Sequence, residues 1–88
     1  MEISNGTYRS GLASRVADDL KALGLNVKEV SDAERHDYKD SIIYDYTGGQ
    51  KPNTASYLAD YFDAKVESGD EERKGTDFRV VIGKNFKE

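Results

Sequence analysis

The chain contains two stretches in which apolar residues recur every three or four positions, which is the period of an amphipathic helix. The first predicts a helix over residues 9–23, with the apolar stripe Leu12, Val16, Leu20 and Leu23. Gly24 follows it and favours a Schellman ending, in which Leu25 folds back onto the last turn. The second predicts a helix that begins at Pro52 and ends near Asp63, with the buried stripe Ala55, Leu58, Ala59 and Phe62.

Short runs of alternating or β-branched residues around these helices predict strands. The predicted strands are residues 2–4, 26–30, 41–47 and 78–82, with a shorter edge strand at residues 65–67. Residues 31–39 are polar and are predicted to form a surface loop. Residues 68–76, which contain the acidic run at residues 70–72, are predicted to form a hairpin loop before the last strand.

The resulting element order is β-α-β-β-α-β, with one extra short strand before the last. Two strand–helix–strand crossovers of the usual right hand put both helices on one face of a mixed four-stranded sheet. The predicted fold class is therefore α+β, a two-layer sandwich. We expect residues 1–88 to be a single domain with an approximate internal duplication, and either a cytosolic protein or a domain excised from a longer chain.

Alternation within residues 41–47 places Ile42, Tyr44 and Tyr46 on one face of the strand, opposite Ile43 and Asp45. Two arrangements are open. If the tyrosines face the helices they belong to the core, whereas on the helix-free face they form a platform for a sugar or a partner. The other four tyrosines are better candidates for exposure: Tyr8, Tyr38, Tyr57 and Tyr61.

Composition narrows the classes of function. With 13 Lys and Arg against 17 Asp and Glu, the net charge is -4, so we expect no nucleic-acid partner and no direct membrane contact. Cysteine is absent, which removes disulfides and thiolate metal sites. The single histidine, His36, is predicted to be solvated rather than a metal ligand, and no cofactor is expected. A Ser-His-Asp enzyme would need His36 beside Ser31 or Ser41, and neither serine lies on a nucleophile turn.

The strongest candidate for a ligand-binding site is the loop of Asn5, Gly6, Thr7, Tyr8, Arg9, Ser10 and Gly11. It joins a strand end to a helix N-terminus, whose backbone N–H groups favour a carboxylate or phosphate, and Arg9 adds positive charge. The alternative is structural: Asn5 and Gly6 supply a left-handed turn while Thr7 or Ser10 caps the helix. The Gly6 to Gly11 spacing is not a P-loop, because the Lys-Ser/Thr pair is missing after Gly11.

Two motifs carry a family resemblance: a strand ending in Asn5-Gly6-Thr7 ahead of Gly11-Leu12-Ala13, and a last strand that runs into Gly83-Lys84-Asn85-Phe86. With them the chain resembles, over nearly its whole length, the LytR C-terminal domain that is appended to many LytR-CpsA-Psr cell-envelope proteins. The resemblance implies a bacterial parent with one membrane span and an extracytoplasmic catalytic domain that transfers lipid-linked glycopolymers onto peptidoglycan. The C-terminal module itself is not known to be catalytic.

The first hypothesis for function is therefore a non-catalytic, extracytoplasmic accessory domain. It would bind or position a cell-wall glycopolymer, peptidoglycan, or a neighbouring domain of the parent. The alternative is a protein–protein interaction or oligomerisation module of an envelope-related transcriptional attenuator, which would pair through an edge strand such as residues 78–82. A small hydrolase ranks last.

Overall fold

The computed structural model describes residues 1–69 and 76–87, so the acidic run at residues 70–72 lies outside the described residues. The helices are α1 (Leu12–Ala22) and α2 (Pro52–Phe62). The strands are β1 (Glu2–Asn5), β2 (Glu29–Asp32), β3 (Ile42–Asp45), β4 (Lys65–Ser68) and β5 (Phe78–Ile82). The α+β class and the element order are confirmed. The sheet has five strands rather than four, because β4 pairs with β3 along its full length.

The strand order in the sheet is β2-β1-β5-β3-β4. Each helix connects two neighbouring parallel strands, since α1 joins β1 to β2 and α2 joins β3 to β4. The two crossover units flank β5, which is parallel to β1 and antiparallel to β3. The proposal of residues 78–82 as an edge strand is therefore wrong: β5 is the central strand. The predicted hairpin is also wrong, because β3 lies between β4 and β5.

A single hydrophobic core lies between the sheet and both helices. Its centre is a row of cross-strand partners, Ile3, Val80 and Ile43, whose side chains are completely buried. The same cluster contains Val16 of α1 and Phe62 of α2, so both helices cover one face as predicted. Full burial of each such side chain stabilises the fold by about 1.5–3 kcal/mol before the loss of conformational entropy.

The position of Ile43 decides where the two tyrosines of this strand lie. Because Ile43 faces the helices, Tyr44 is on the opposite, helix-free face, and Tyr46 continues that alternation beyond β3. Both tyrosines are half-buried rather than part of the core. Partial burial also raises the pKa of the Tyr44 hydroxyl.

Both ends of α1 are set by glycines. At its C-terminus Gly24 has φ +91°, and Leu25 N–H donates to Leu20 O at 3.0 Å, which confirms the predicted Schellman ending. At its N-terminus Gly11 is left-handed, with φ +72°, and the helix begins at Leu12 rather than at residue 9. The strand predicted at residues 26–30 is displaced towards the C-terminus, because Val27 is buried in the core and pairing with β1 starts at Glu29.

One side chain near the C-terminus joins three separate elements. Asn85 Oδ1 accepts hydrogen bonds from the backbone N–H and the hydroxyl of Ser41, at 2.7 and 2.9 Å. Its Nδ2 donates to the carbonyls of Phe62 and Asp63 at the end of α2. The tail after β5 thereby ties the start of β3 to the end of α2, so the role of Asn85 is structural.

We expect Asn85→Ala to lower the free energy of unfolding by about 2–3 kcal/mol. The reason is that the buried Ser41 loses the acceptor of its N–H and hydroxyl, and the carbonyls of Phe62 and Asp63 lose a donor. Urea denaturation of the two proteins measures this difference. Lys84→Ala, at the neighbouring exposed position, is the control and should change stability by less than about 0.5 kcal/mol. Equal stability of Asn85→Ala and the wild type would contradict this role.

Candidate functional site

A shallow groove of about 240 Å³ lies at the carboxyl ends of β1 and β2. Six of the seven residues predicted from the sequence line it, and Gly6 does not. Two residues that the sequence analysis did not assign to the site join them: Asp32, the last residue of β2, and His36. Ligands of sheets with parallel strands commonly bind beyond the carboxyl ends of those strands. Because this groove combines that position with the loop predicted from the sequence, it is the leading candidate.

The loop between β1 and α1 is held by its own hydrogen bonds. Asn5 Oδ1 accepts from the backbone N–H and the hydroxyl of Thr7, at 2.9 and 2.6 Å, and Asn5 Nδ2 donates to Arg9 O at 2.8 Å. The Thr7 hydroxyl oxygen in turn accepts from Arg9 N–H at 3.1 Å. The expected capping by Thr7 or Ser10 is not observed, because the N-cap is Gly11 and no side chain caps the helix. Asn5 and Thr7 therefore order the loop itself.

Gly6 serves close packing rather than a left-handed turn. The residues with left-handed φ do not include Asn5 or Gly6, so that part of the structural alternative is wrong. A Cβ at Gly6 would lie 2.6 Å from Tyr38 Cδ2 and 2.7 Å from Ile82 O. Only glycine allows the strand, the Tyr38 ring and β5 to meet at this distance.

The second crossover unit contains the same turn. After β3, Asp45 Oδ1 accepts from the backbone N–H and the hydroxyl of Thr47, at 2.7 and 2.6 Å. The Thr47 hydroxyl then accepts from Gln50 N–H, three residues further on, whereas the Thr7 hydroxyl accepts from Arg9 N–H, two residues further on. Because the turn recurs in a unit where Gly48 stands at the position of Tyr8, we assign it a structural role. What distinguishes the groove is the set of side chains around the turn.

His36 is half-buried in the structure rather than fully solvated. Its Nδ1 lies 2.9 Å from Thr7 O, and its ring centroid lies 5.4 Å from that of Tyr8. The surrounding segment is anchored on both sides of His36: Ala33 N–H donates to Asn5 O, and Tyr38 N–H donates to Gly6 O. Asn5 and Gly6 are distant in sequence from this segment. The polar character of residues 31–39 therefore could not show that His36 lies in the groove.

The groove contains charges of both signs. Arg9 Nη2 lies 3.4 Å from Gly83 O, so the guanidinium leans across the end of β5. Asp32 is exposed, and its carboxylate makes no hydrogen bond or ion pair within residues 1–69 and 76–87. Next to the groove, Arg35 donates to Asp37 at 2.9 Å, and this hydrogen bond lowers the pKa of the Asp37 carboxyl. Tyr8, at the rim, is 79% exposed.

The arrangement that a serine hydrolase requires does not form around His36. The hydroxyl of Ser31 is hydrogen-bonded with that of Ser4 at 3.1 Å, and the hydroxyl of Ser41 donates to Asn85. His36 Nδ1 is directed to a backbone carbonyl instead. Neither serine is thus activated by the histidine.

Comparison with known proteins places the chain in a family. Residues 1–86 match the family LytR_C, described as LytR cell envelope-related transcriptional attenuator, and the chain belongs to this family. It is similar to a crystal structure of the soluble domain of a conserved hypothetical secreted protein from Mycobacterium marinum, with a TM-score of 0.68 and 26% sequence identity. The match covers 98% of this chain and 59% of that one. None of the curated proteins compared matches the chain.

The chain is accordingly a domain of the cell-envelope LytR_C type, as its resemblance predicted. Its structural neighbour is a domain of a secreted protein. Within residues 1–69 and 76–87, neither helix is long and apolar enough to span a bilayer.

We expect Asn5→Ala to disorder the loop, because Thr7 N–H, the Thr7 hydroxyl and Arg9 O all lose their partner. Stability should fall by about 1–3 kcal/mol, and hydrogen exchange at the amides of Thr7 and Arg9 should accelerate. Ser14→Ala, at an exposed position of α1, is the control. Unchanged exchange at both amides in Asn5→Ala would show that Asn5 does not order the loop.

Proposed function

We propose that this domain is a non-catalytic accessory module of an extracytoplasmic, membrane-anchored envelope protein. In this proposal it binds or positions a cell-wall glycopolymer, peptidoglycan, or a neighbouring domain of its parent. The binding surface is the groove formed by the loop of residues 5–11, Asp32 and His36. The observation that carries the proposal is Tyr8, which is 79% exposed beside the His36 ring at the rim of a polar groove.

An exposed tyrosine next to hydrogen-bonding groups is a typical element of a recognition site, since the ring offers apolar area at a low cost in conformational entropy. Membership of an envelope-related family, and similarity to a domain of a secreted protein, support a ligand found outside the cytoplasm. A role without catalysis is supported by the pairing of Ser31 and Ser41 away from His36.

The second candidate function is self-association through a sheet edge. Residues 78–82 were expected to be an edge strand, but the edge strands of the sheet are β2 and β4. All residues of these two strands are exposed. Val30 and Val66 are exposed by 38% and 40% on these edges. Exposed strands with apolar side chains favour pairing with another strand.

Chemical-shift mapping with soluble peptidoglycan fragments tests both candidates. The primary proposal predicts shifts at the amides of Tyr8, Arg9, Asp32 and His36. Tyr8→Ala should weaken binding about tenfold, because it removes the exposed ring. Tyr57→Ala, which removes a tyrosine that is 43% exposed on α2, is the matched control and should bind as the wild type does.

Other outcomes of the titration contradict the proposal. Equal binding by Tyr8→Ala and the wild type would exclude the groove as the binding surface. An unchanged spectrum on adding fragments, combined with line broadening of β2 or β4 that grows with protein concentration, would favour self-association instead.

A further inference from the structure

We infer that the groove recognises an uncharged sugar ring through hydrogen-bond acceptors, and that Asp32 and His36 determine this specificity. The inference rests on the proposed function of the groove and goes beyond it by separating neutral glycans from phosphate-bearing polymers. The expectation from the sequence alone, based on Arg9 and the helix N-terminus, was an anion. The side chains that the fold adds to the groove argue for a different ligand.

The hydrogen bond of His36 determines which of its ring nitrogens accepts. Thr7 O is a carbonyl and can only accept, so the Nδ1 atom 2.9 Å away must carry the hydrogen. In the neutral ring Nε2 is then an acceptor. The half-buried position of the ring and its contact with Tyr8 restrict its orientation at the groove. A sugar hydroxyl or an amide N–H can donate to Nε2, whereas a phosphate oxygen without a proton cannot.

Asp32 supplies the second acceptor. Its carboxylate lines the groove and makes no hydrogen bond or ion pair in the part of the chain that the structure describes. Carboxylates form strong, charge-assisted hydrogen bonds with hydroxyl groups. The same charge repels a phosphate in the same groove and opposes the attraction of Arg9. Arg9 also leans towards Gly83 O, which accepts a hydrogen bond from its guanidinium at 3.4 Å.

The size and rim of the groove match this chemistry. Its volume of about 240 Å³ is below the roughly 300–1,000 Å³ of pockets that enclose drug-sized ligands. It therefore suits one or two rings of a chain that continues into solvent. Tyr8, exposed by 79%, offers an apolar ring face at the rim against which the C–H face of a sugar can pack.

The test compares two probes on the same protein: chitotetraose, a neutral tetramer of N-acetylglucosamine, and glycerol 3-phosphate. We expect chitotetraose to shift the amides of Tyr8, Asp32 and His36, and glycerol 3-phosphate to bind at least tenfold more weakly. Asp32→Asn and His36→Asn should each weaken chitotetraose binding about fivefold or more. In the second variant the introduced side-chain amide can still donate to Thr7 O, so the substitution removes Nε2 while it keeps the anchoring hydrogen bond.

Asp60→Asn, which removes the same charge from an exposed position on α2, is the control and should bind both probes as the wild type does. Two results would overturn the specificity inference and leave the groove as a binding site. One is tighter binding of glycerol 3-phosphate than of chitotetraose in the groove, and the other is undiminished chitotetraose binding by both variants. If neither probe nor peptidoglycan fragments shift groove amides, the proposed function of the groove as a surface that binds cell-wall polymers fails.

Discussion

The structure depends on the position of β5 between two strands that run in opposite directions. It pairs in parallel with β1 and antiparallel with β3, so it joins two crossover units that otherwise share no strand. The row of Ile3, Val80 and Ile43 crosses this junction at the base of the core. Each unit alone would expose the sheet edge that now pairs with β5. Isolated two-stranded sheets are marginally stable at best. One chain of 88 residues thus obtains a single core only when β5 is inserted.

The same strand positions the groove. Gly6 N–H donates to Ile82 O at 2.9 Å, and Gly6 leaves room for Tyr38 against β1. Tyr38 O accepts from Lys84 N–H, which ties the segment that carries His36 to the tail beyond β5. The groove is therefore built on the paired ends of β1 and β5. The turn at Asn5 and Thr7, which recurs at Asp45 and Thr47, shapes only one wall of it. This explains why the two crossover units share a turn but differ in the side chains next to it, with Tyr8 in the first and Gly48 in the second.

The features that could be predicted from the sequence are those set by local interactions. The apolar stripe of α1, its Schellman ending at Gly24 and the start of α2 at Pro52 all depend on residues within a few positions of one another. The features that were missed depend on distant partners: His36 bonds a carbonyl 29 residues away, and Arg9 reaches one 74 residues away. The central place of β5 was missed for a related reason, because its apolar run is compatible with either an edge or a buried strand. The strand-to-helix junction identified the loop of residues 5–11, and only the fold could add Asp32 and His36.

Native-state hydrogen exchange followed by NMR tests the central role of β5 most directly. If β5 joins the two units into one cooperative core, the amides of Ile3, Ile43 and Val80 should exchange only through global unfolding, with equal free energies of opening. Their dependence on denaturant should also be the same. Exchange of the β3 and β4 amides at a clearly lower free energy than those of β1 and β5 would show that the second unit opens alone, and would contradict this account.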